Sequence, residues 1–335
     1  MIALLIAMAI AFLTTFIATP IAMKFLYTIG IVGLDLHKKN KPKLPASGGV
    51  CVASGLIVGL LVYIGIQTFF YNTKIEALSL LAAISSILIV TGVGIADDLN
   101  IRSKLVKTKE GLDIKIGLPQ SKWLLTLPAA VPLMVVSIGS TTMSIPFIGS
   151  IDFGLIYPLL LIPLGFIGAS NVVNLLGGFN GSEAGMGAVY MLSLGLYALL
   201  HGSSASIIFL TSFAAILAFL FYNKYPSRIL PGDSLTYLLG STVAAGVIIG
   251  DMEKIGIIVL IPFLIEFFLK AKSRFRASCL GKLEKNGKLR PPYGRKIYSI
   301  THALMNLKPM SEWEVTISLI LIEIFFSLIP FLGLV

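Results

Sequence analysis

Stretches of roughly twenty apolar residues recur along this whole sequence, and that feature leaves the chain few structures to adopt. In the ~30 Å hydrocarbon core of a bilayer, no water is present to pair with backbone N–H and C=O groups. A stretch of this length therefore crosses as a helix that satisfies its own backbone. Ten spans are predicted, at approximately 2–27, 47–69, 77–96, 122–139, 154–174, 185–201, 205–222, 234–250, 255–271 and 314–333. Composition agrees: of 335 residues, 56% are hydrophobic and 13% charged, with a mean hydropathy of +0.93. A soluble domain carries about 25% charged residues. A cytosolic globular enzyme and a disordered chain are excluded, and so is a secreted disulfide scaffold, because two cysteines make no framework. The expected fold class is an all-α polytopic membrane protein, one integral-membrane domain over 1–335. The first span has no basic leader and its first cation is Lys24, so it reads as a retained helix and not a cleaved signal. The segment 140–153, β-rich and bounded by Gly and Pro, is predicted to form a short hairpin outside the bilayer.

Ten spans put both termini on one side. Of the 26 Lys and Arg residues, all but Lys74 and Lys254 fall on the other side, in 24–46, 97–122, 223–233 and 270–313. By the positive-inside rule that basic side is cytosolic and both termini face the outside or lumen. The net charge of +10 thus belongs to loops along a membrane, and no nucleic-acid partner is expected. Cys51 and Cys279 lie on the same reducing side and are expected to be free thiols. The host is the cell membrane in a prokaryote or the endoplasmic reticulum in a eukaryote.

Polar residues are costly near a bilayer, so polar clusters at span ends need a reason. Five clusters stand out, all on the predicted cytosolic side. Asp97-Asp98 closes the third span; neighbouring carboxylates repel unless a cation sits beside them, and acids at a helix C-terminus oppose its dipole. The alternative is a pair of solvated acids. In Asn171-Val-Val-Asn174-Leu-Leu-Gly-Gly-Phe-Asn180-Gly, the first two asparagines share a helix face and the glycines permit close approach of a ligand. A C-cap followed by an Asn-Gly turn accounts for part of that pattern. The run 223–234, ending in Pro231-Gly-Asp233-Ser234, opens the eighth span; Asp233 reads either as an ordinary N-cap or as part of an anion-favouring helix start. The run 34–49 is a basic loop of the kind that meets anionic headgroups, but it contains Asp35. Finally, Lys270-Ala-Lys-Ser-Arg274-Phe275-Arg276 opens a long loop, 272–312. There the arginines either grip a phosphate bidentately or snorkel to headgroups.

The chain has no nucleotide P-loop, CxxC pair or Gly-x-Ser-x-Gly elbow, and its three histidines are scattered, against a histidine-ligated zinc. Glu266 and Glu323 lie within spans, either paired internally or marking a pathway. Carboxylates and amide oxygens with basic residues around them suit Mg²⁺ and a phosphorylated substrate, and the membrane setting suggests that one substrate is a lipid. The reading from residues alone is Mg²⁺-dependent phosphotransfer at the cytosolic leaflet.

At these motifs the sequence resembles the polyprenyl-phosphate N-acetylhexosamine-1-phosphate transferases, most of all the archaeal and eukaryotic branch acting on UDP-GlcNAc and dolichyl phosphate. The resemblance spans nearly the whole chain. It rests on Gly-Ile-Ala-Asp97-Asp98-Leu-Asn100, the Asn171–Asn180 motif and Tyr225-Pro-Ser-Arg-Ile-Leu-Pro-Gly-Asp233-Ser. It implies Asn174 and Asp233 as ligands of Mg²⁺, with Mn²⁺ a substitute, and Asp97 and Asp98 as the catalytic pair, one of which would deprotonate the lipid phosphate. It implies Lys122 and Asn171 at the lipid phosphate. For the nucleotide sugar it implies Leu34, Asp35, Leu36 and Asn180, the last at uridine, with Arg274, Phe275 and Arg276 at the diphosphate and sugar. Two departures fall on the sugar site: Phe275 replaces a histidine and Ala46 a glutamate. The stretch 105–120 looks inserted before Lys122. With His302 the only histidine of the last basic loop, a muramoyl-pentapeptide substrate is disfavoured.

The expected activity is transfer of GlcNAc 1-phosphate from UDP-GlcNAc to dolichyl phosphate with release of UMP, the first step of lipid-linked oligosaccharide assembly for N-glycosylation. Another UDP-N-acetylhexosamine, or undecaprenyl phosphate, is the alternative within the class, and a homodimer is compatible with it. Rivals of another class are a secondary transporter or flippase and a non-catalytic lipid-binding scaffold. Polar clusters confined to one face argue against transport, which uses midplane sites.

Overall fold

The computed structural model describes residues 1–71, 77–99, 105–107, 113–115, 120–136, 139–145 and 149–333. It opens with α1 (Ile2–Thr28), the two-stranded antiparallel hairpin β1 (Val32–Leu34) and β2 (Lys43–Pro45), then α2 (Gly49–Phe70) and α3 (Ala77–Leu99). A second hairpin, β3 (Leu105–Lys107) and β4 (Asp113–Lys115), occupies the inserted-looking stretch. A 3₁₀ stretch Gln120–Ala130 runs into α4 (Val131–Val136), followed by the hairpin β5 (Thr142–Ile145) and β6 (Gly149–Asp152), where the sequence predicted one. A π-helical turn Tyr157–Leu161 leads into α5 (Ile162–Val173), and then come α6 (Ser182–Leu200), α7 (Ala205–Asn223) and α8 (Gly232–Ile249). The chain ends with α9 (Glu253–Val259), α10 (Ile261–Lys272), β7 (Lys282–Leu283), β8 (Leu289–Arg290), α11 (Ile300–Leu307) and α12 (Glu312–Leu328). The protein is an all-α membrane protein with a little sheet in its loops.

Seven of these helices are long and apolar enough to cross a bilayer: α1, α2, α3, α6, α7, α8 and α12. The other three expected spans are built from shorter pieces, and proline marks each break. Pro128 sits in the 3₁₀ stretch before α4, Pro163 in the first turn of α5, and Pro262 in the first turn of α10, where the ninth expected span divides at Leu260.

The centre of the bundle is α8. Every residue from Ser234 to Ile248 is buried, so this helix shows no face to lipid. It packs against α2, α3, α5 and α7. Glycines make its close contacts: a methyl on Gly49 of α2 would lie 2.2 Å from the Leu235 nitrogen, one on Gly94 of α3 2.7 Å from the Asp233 carbonyl oxygen, and one on Gly240 2.4 Å from that of Ala169 in α5. Small residues of this kind let helix backbones touch where lipid provides no hydrophobic push.

Alternating helix directions bring the ends of α3, α5 and α7 and the starts of α2, α6, α8 and α12 to one face. There Gly49 N–H donates to Pro231 O at 3.0 Å. On the opposite face the β5–β6 hairpin stands near the α8–α9 turn, where Ser140 N–H donates to Asp251 Oδ1 at 2.5 Å and Tyr157 bonds Glu253. The loop 272–312 docks on the first face through Glu266, whose Oε2 accepts from Ser299 Oγ at 3.0 Å and Ile300 N–H at 2.8 Å. Lys270 lies 3.8 Å from Glu266 and donates to Ala277 O at 2.9 Å, so Glu266 is paired internally. Burial, with Lys270 nearby, lowers His302 in this loop to about 4 and keeps its ring neutral.

Substituting Gly240→Val should separate α8 from α5 and destabilise the protein by about 1–3 kcal/mol. Gly65→Ala, where an added methyl meets nothing within 4 Å, should be neutral. Thermal unfolding of both variants in detergent checks the contrast.

Candidate active site

The site is assembled from helix ends. Asp97 and Asp98 close α3 and are buried, 2% and 1% exposed. A carboxylate there opposes its own helix dipole. The opposing field is offset by the start of α8: Asp98 Oδ1 accepts the Asp233 N–H at 2.7 Å and Oδ2 the Ser234 N–H at 3.0 Å. These are amides that a helix start leaves without partners. The sequence prepares this contact with Pro231-Gly232: Gly232 has φ +71°, and a methyl on it would lie 2.4 Å from Asp98 Oδ2. Ser47, ahead of α2, places its hydroxyl 3.1 Å from that of Ser234. Asp98 therefore caps α8, and Asp233 lies in the first turn beyond the cap, its side chain half-buried.

From there the network crosses to the end of α5. Asn174 Nδ2 donates to Asp233 Oδ2 at 3.3 Å, and the Thr236 hydroxyl donates to Asn174 Oδ1 at 2.8 Å. One turn back, Asn171 Oδ1 accepts from the Tyr237 hydroxyl at 3.2 Å, while its Nδ2 donates to Ile167 O at 2.8 Å. Sequence spacing put the two asparagines on one face; the structure shows that this face meets α8 through Thr236 and Tyr237, which the sequence did not single out.

A second network lies beside the first. Asp35, in the turn between β1 and β2, accepts from Asn180 Nδ2 at 3.0 Å. Glu312, opening α12, accepts the Asn180 N–H at 2.9 Å, bonds Lys38, and stands 3.6 Å from His37 Nδ1. His37, isolated in the sequence, stacks on Phe179 with centroids 4.6 Å apart and accepts from Gly281 N–H at 3.3 Å. Lys38 also lies 4.0 Å from the centroid of the Tyr225 ring, which links this network to the loop entering α8. Glu312 and His37 gave no sequence signal, because an acid at a helix start and a histidine in a basic run are both commonplace. The 174–181 turn joins the networks, with Gly178 N–H donating to Glu183 at 2.7 Å and Cys279 Sγ to Gly177 O at 2.9 Å. Burial pushes that thiol's pKa up, and both cysteines are free.

The remaining expected residues are less engaged. Leu34 and Leu36 are half-buried in the first hairpin and its turn. Arg274, Phe275 and Arg276 form an exposed turn ending α10, with Arg274 and Phe275 at φ 52° and 57° and Phe275 packed 5.3 Å from Phe267. The Lys122 side chain and Asn100 lie outside the described residues.

Among the described residues no group of three or more His, Cys, Asp or Glu side chains gathers around a metal position. The available donors are the Asp233 carboxylate and the Asn174 amide, both hard oxygens. That sparse set fits Mg²⁺, which keeps waters and shares substrate phosphates, better than a cation needing a full protein cage. Away from this site, a cavity of about 290 Å³ runs between α5, α8 and the α9–α10 break toward the opposite face, lined by Ala169, Val172, Val243 and Leu260 and, at the hairpin end, by Tyr157 and Glu253.

Residues 78–251 match glycosyl transferase family 4. The chain is 32% identical, over 98% of its own length and 95% of the relative's, to a protein of Saccharolobus solfataricus provisionally named a UDP-N-acetylglucosamine–dolichyl-phosphate N-acetylglucosaminephosphotransferase. A Dictyostelium discoideum protein of that name is 27% identical over 73% of this chain and 66% of its own. A Bacillus subtilis protein, provisionally named an undecaprenyl-phosphate N-acetylglucosaminyl 1-phosphate transferase, is 28% identical over 79% of this chain and 68% of its own.

Substituting Asp98→Asn leaves one acceptor for two amide N–H groups and turns an NH₂ toward the other. It should destabilise the protein by about 1–3 kcal/mol, seen as a lower unfolding temperature in detergent.

Proposed function

The chain belongs to glycosyl transferase family 4, and we propose that it transfers GlcNAc 1-phosphate from UDP-GlcNAc to dolichyl phosphate, releasing UMP, the first step of lipid-linked oligosaccharide assembly. The observation that carries this reading is the Asp98–Asp233–Asn174 network at one end of the bundle. Acid and amide oxygens at a membrane face suit a diphosphate, and the apolar spans beside them suit a polyprenyl chain whose phosphate stays at the polar end. The names of the archaeal and Dictyostelium relatives support GlcNAc and dolichyl phosphate. The Bacillus relative's name keeps undecaprenyl phosphate as the second reading of the acceptor.

In the proposed reaction a lipid-phosphate oxygen attacks the β-phosphorus of the UDP-sugar, and the bond to the UMP oxygen breaks. Asp98 has both oxygens committed to the α8 amides, so its role is to hold Asp233 in place. Its neighbour in the pair, Asp97, is assigned to take the lipid-phosphate proton on its carboxylate. Mg²⁺, held by Asp233 and Asn174, would supply neutralisation of the diphosphate charge. Lys122, Arg274 and Arg276 carry the remaining positive charge toward the phosphates, and Asn171 holds α5 against Tyr237 of α8 below the lipid phosphate. The basic face is assigned to the cytosol, with both termini on the other side. A transporter is the weaker alternative, since the α9–α10 break falls in Val259-Leu260-Ile261, without polar groups for an ion.

The test is radiolabelled UDP-GlcNAc incubated with purified protein, dolichyl phosphate and Mg²⁺. Label should enter the organic phase as UMP is released, and EDTA should abolish both. Sugar uptake into vesicles without UMP release would instead show transport. Asp233→Ala should eliminate turnover at every magnesium concentration; substantial residual activity would remove Asp233 from the metal shell.

A further inference from the structure

In Ala46-Ser47-Gly48-Gly49, ahead of α2, the chain turns through one left-handed residue, and that residue is Ser47, at φ 76°. Gly48, which would take that conformation without steric cost, stays right-handed at φ −60°. The two glycines are needed for space instead. A methyl on Gly48 would lie 2.3 Å from the Phe219 ring, and one on Gly49 would lie 2.2 Å from the Leu235 nitrogen. The strain therefore falls on the serine.

The segment 45–49 is strapped to the entry of α8 by three backbone hydrogen bonds. Leu230 N–H donates to Pro45 O at 2.8 Å, Gly48 N–H to Leu230 O at 3.0 Å and Gly49 N–H to Pro231 O at 3.0 Å. With the backbone held on both sides of it, Ser47 turns its hydroxyl inward. That hydroxyl lies 3.1 Å from Ser234 Oγ, and both hydroxyls bond the Asp98 carboxylate. Ser47, Ser234 and Asp98 are 2%, 0% and 1% exposed, so no water competes for these bonds. Asp98 thus takes two amides from α8 and two hydroxyls, one of them brought by the approach to α2. A glycine in place of Ser47 would relieve the backbone and keep the strap. What it would lose is the hydroxyl.

We propose that Ser47 is a positioning residue of the active site. Its hydroxyl, delivered by a strained backbone, holds Ser234 and the Asp98 carboxylate in register with the start of α8, and so keeps Asp233 directed at Asn174. Strain kept at such a point, where a relaxed residue is available, marks a side chain retained for its task over stability. The proposal rests on the reading of Asp233 as part of the phosphotransfer site.

The experiment compares Ser47→Gly and Ser47→Ala with the wild type, in full-length protein in detergent, by UMP release from UDP-GlcNAc with dolichyl phosphate and Mg²⁺ and by thermal unfolding. Both variants lose the hydroxyl, and only the first loses the strain. Each should lower kcat by about 10- to 100-fold, the usual effect of removing a partner behind a ligand-bearing group. KM for UDP-GlcNAc should stay within about three-fold, since the lost interaction orients the reacting groups and does not hold the donor. Ser47→Gly should nonetheless unfold roughly 2–4 °C above Ser47→Ala. A kcat in Ser47→Gly within about three-fold of the wild type overturns the proposal, as does a loss confined to KM. So does activity that follows the unfolding temperature, with Ser47→Gly recovering what Ser47→Ala loses, because a merely structural role would behave that way. Should Ser47→Ala fail to fold, Ser234→Ala takes its place. It should lower kcat as Ser47→Gly does, and the double variant should lose no more than the worse single one, because the two hydroxyls act as a unit. Losses that multiply overturn the pairing. A wild type that releases no UMP with either dolichyl or undecaprenyl phosphate overturns the functional reading itself, whereas an active wild type with an unaffected Ser47→Gly removes the role of Ser47 alone.

Discussion

Two hydrogen bonds, from the amides of Asp233 and Ser234 to the carboxylate of Asp98, fix the geometry on which the rest of the site depends. They join the end of one helix to the beginning of another, where each has a need the other meets. The carboxylate sits at the unfavourable end of α3, and α8 begins with amides that no helical carbonyl can reach. Once these ends are locked, Asp233 projects from the first turn toward Asn174, and the helix that carries it is set against α5 by Gly240. Asp98 is thus structural in its contacts, one acid of the pair serving as the cap of α8.

The bundle was legible in the sequence because apolar length is a strong constraint in lipid. The hairpin at β5–β6 and the polar character of one face followed from local composition. What length alone did not show was the division of three spans into shorter pieces, since an apolar window averages over Pro128, Pro163 and Pro262 and reads through them. The first network was also visible, because Asp97-Asp98, Asn171-x-x-Asn174 and Gly-Asp233 are residues a helix end in a membrane would not otherwise collect. The second network was not. Glu312 lies 277 positions after Asp35 and meets Asn180 only through the packing of α12, so no spacing could announce it. His37 was hidden for a different reason: inside a basic run, a ring stacked on Phe179 cannot be told from one facing headgroups.

The two networks differ in how they are held. The first belongs to helix ends packed in the bundle interior, where side-chain positions are inherited from backbone contacts as close as that of Gly94 with Asp233. The second draws on a hairpin turn, a glycine-containing turn and the start of the last helix, joined by an ion pair and a ring stack. The first network is thus the more rigidly held, and the second the more loop-built.

The enclosure of α8 has a consequence for how this protein is made. α8 is long and apolar enough to enter a bilayer, yet it carries Ser234, Thr236, Ser241 and Thr242 and has every residue from Ser234 to Ile248 covered by neighbours. It gains a settled place only once α2, α3 and α5 stand ready to receive it. The polar network at its start, from Asp98 to Asn174, therefore forms together with that packing, and insertion of the separate spans does not by itself create it.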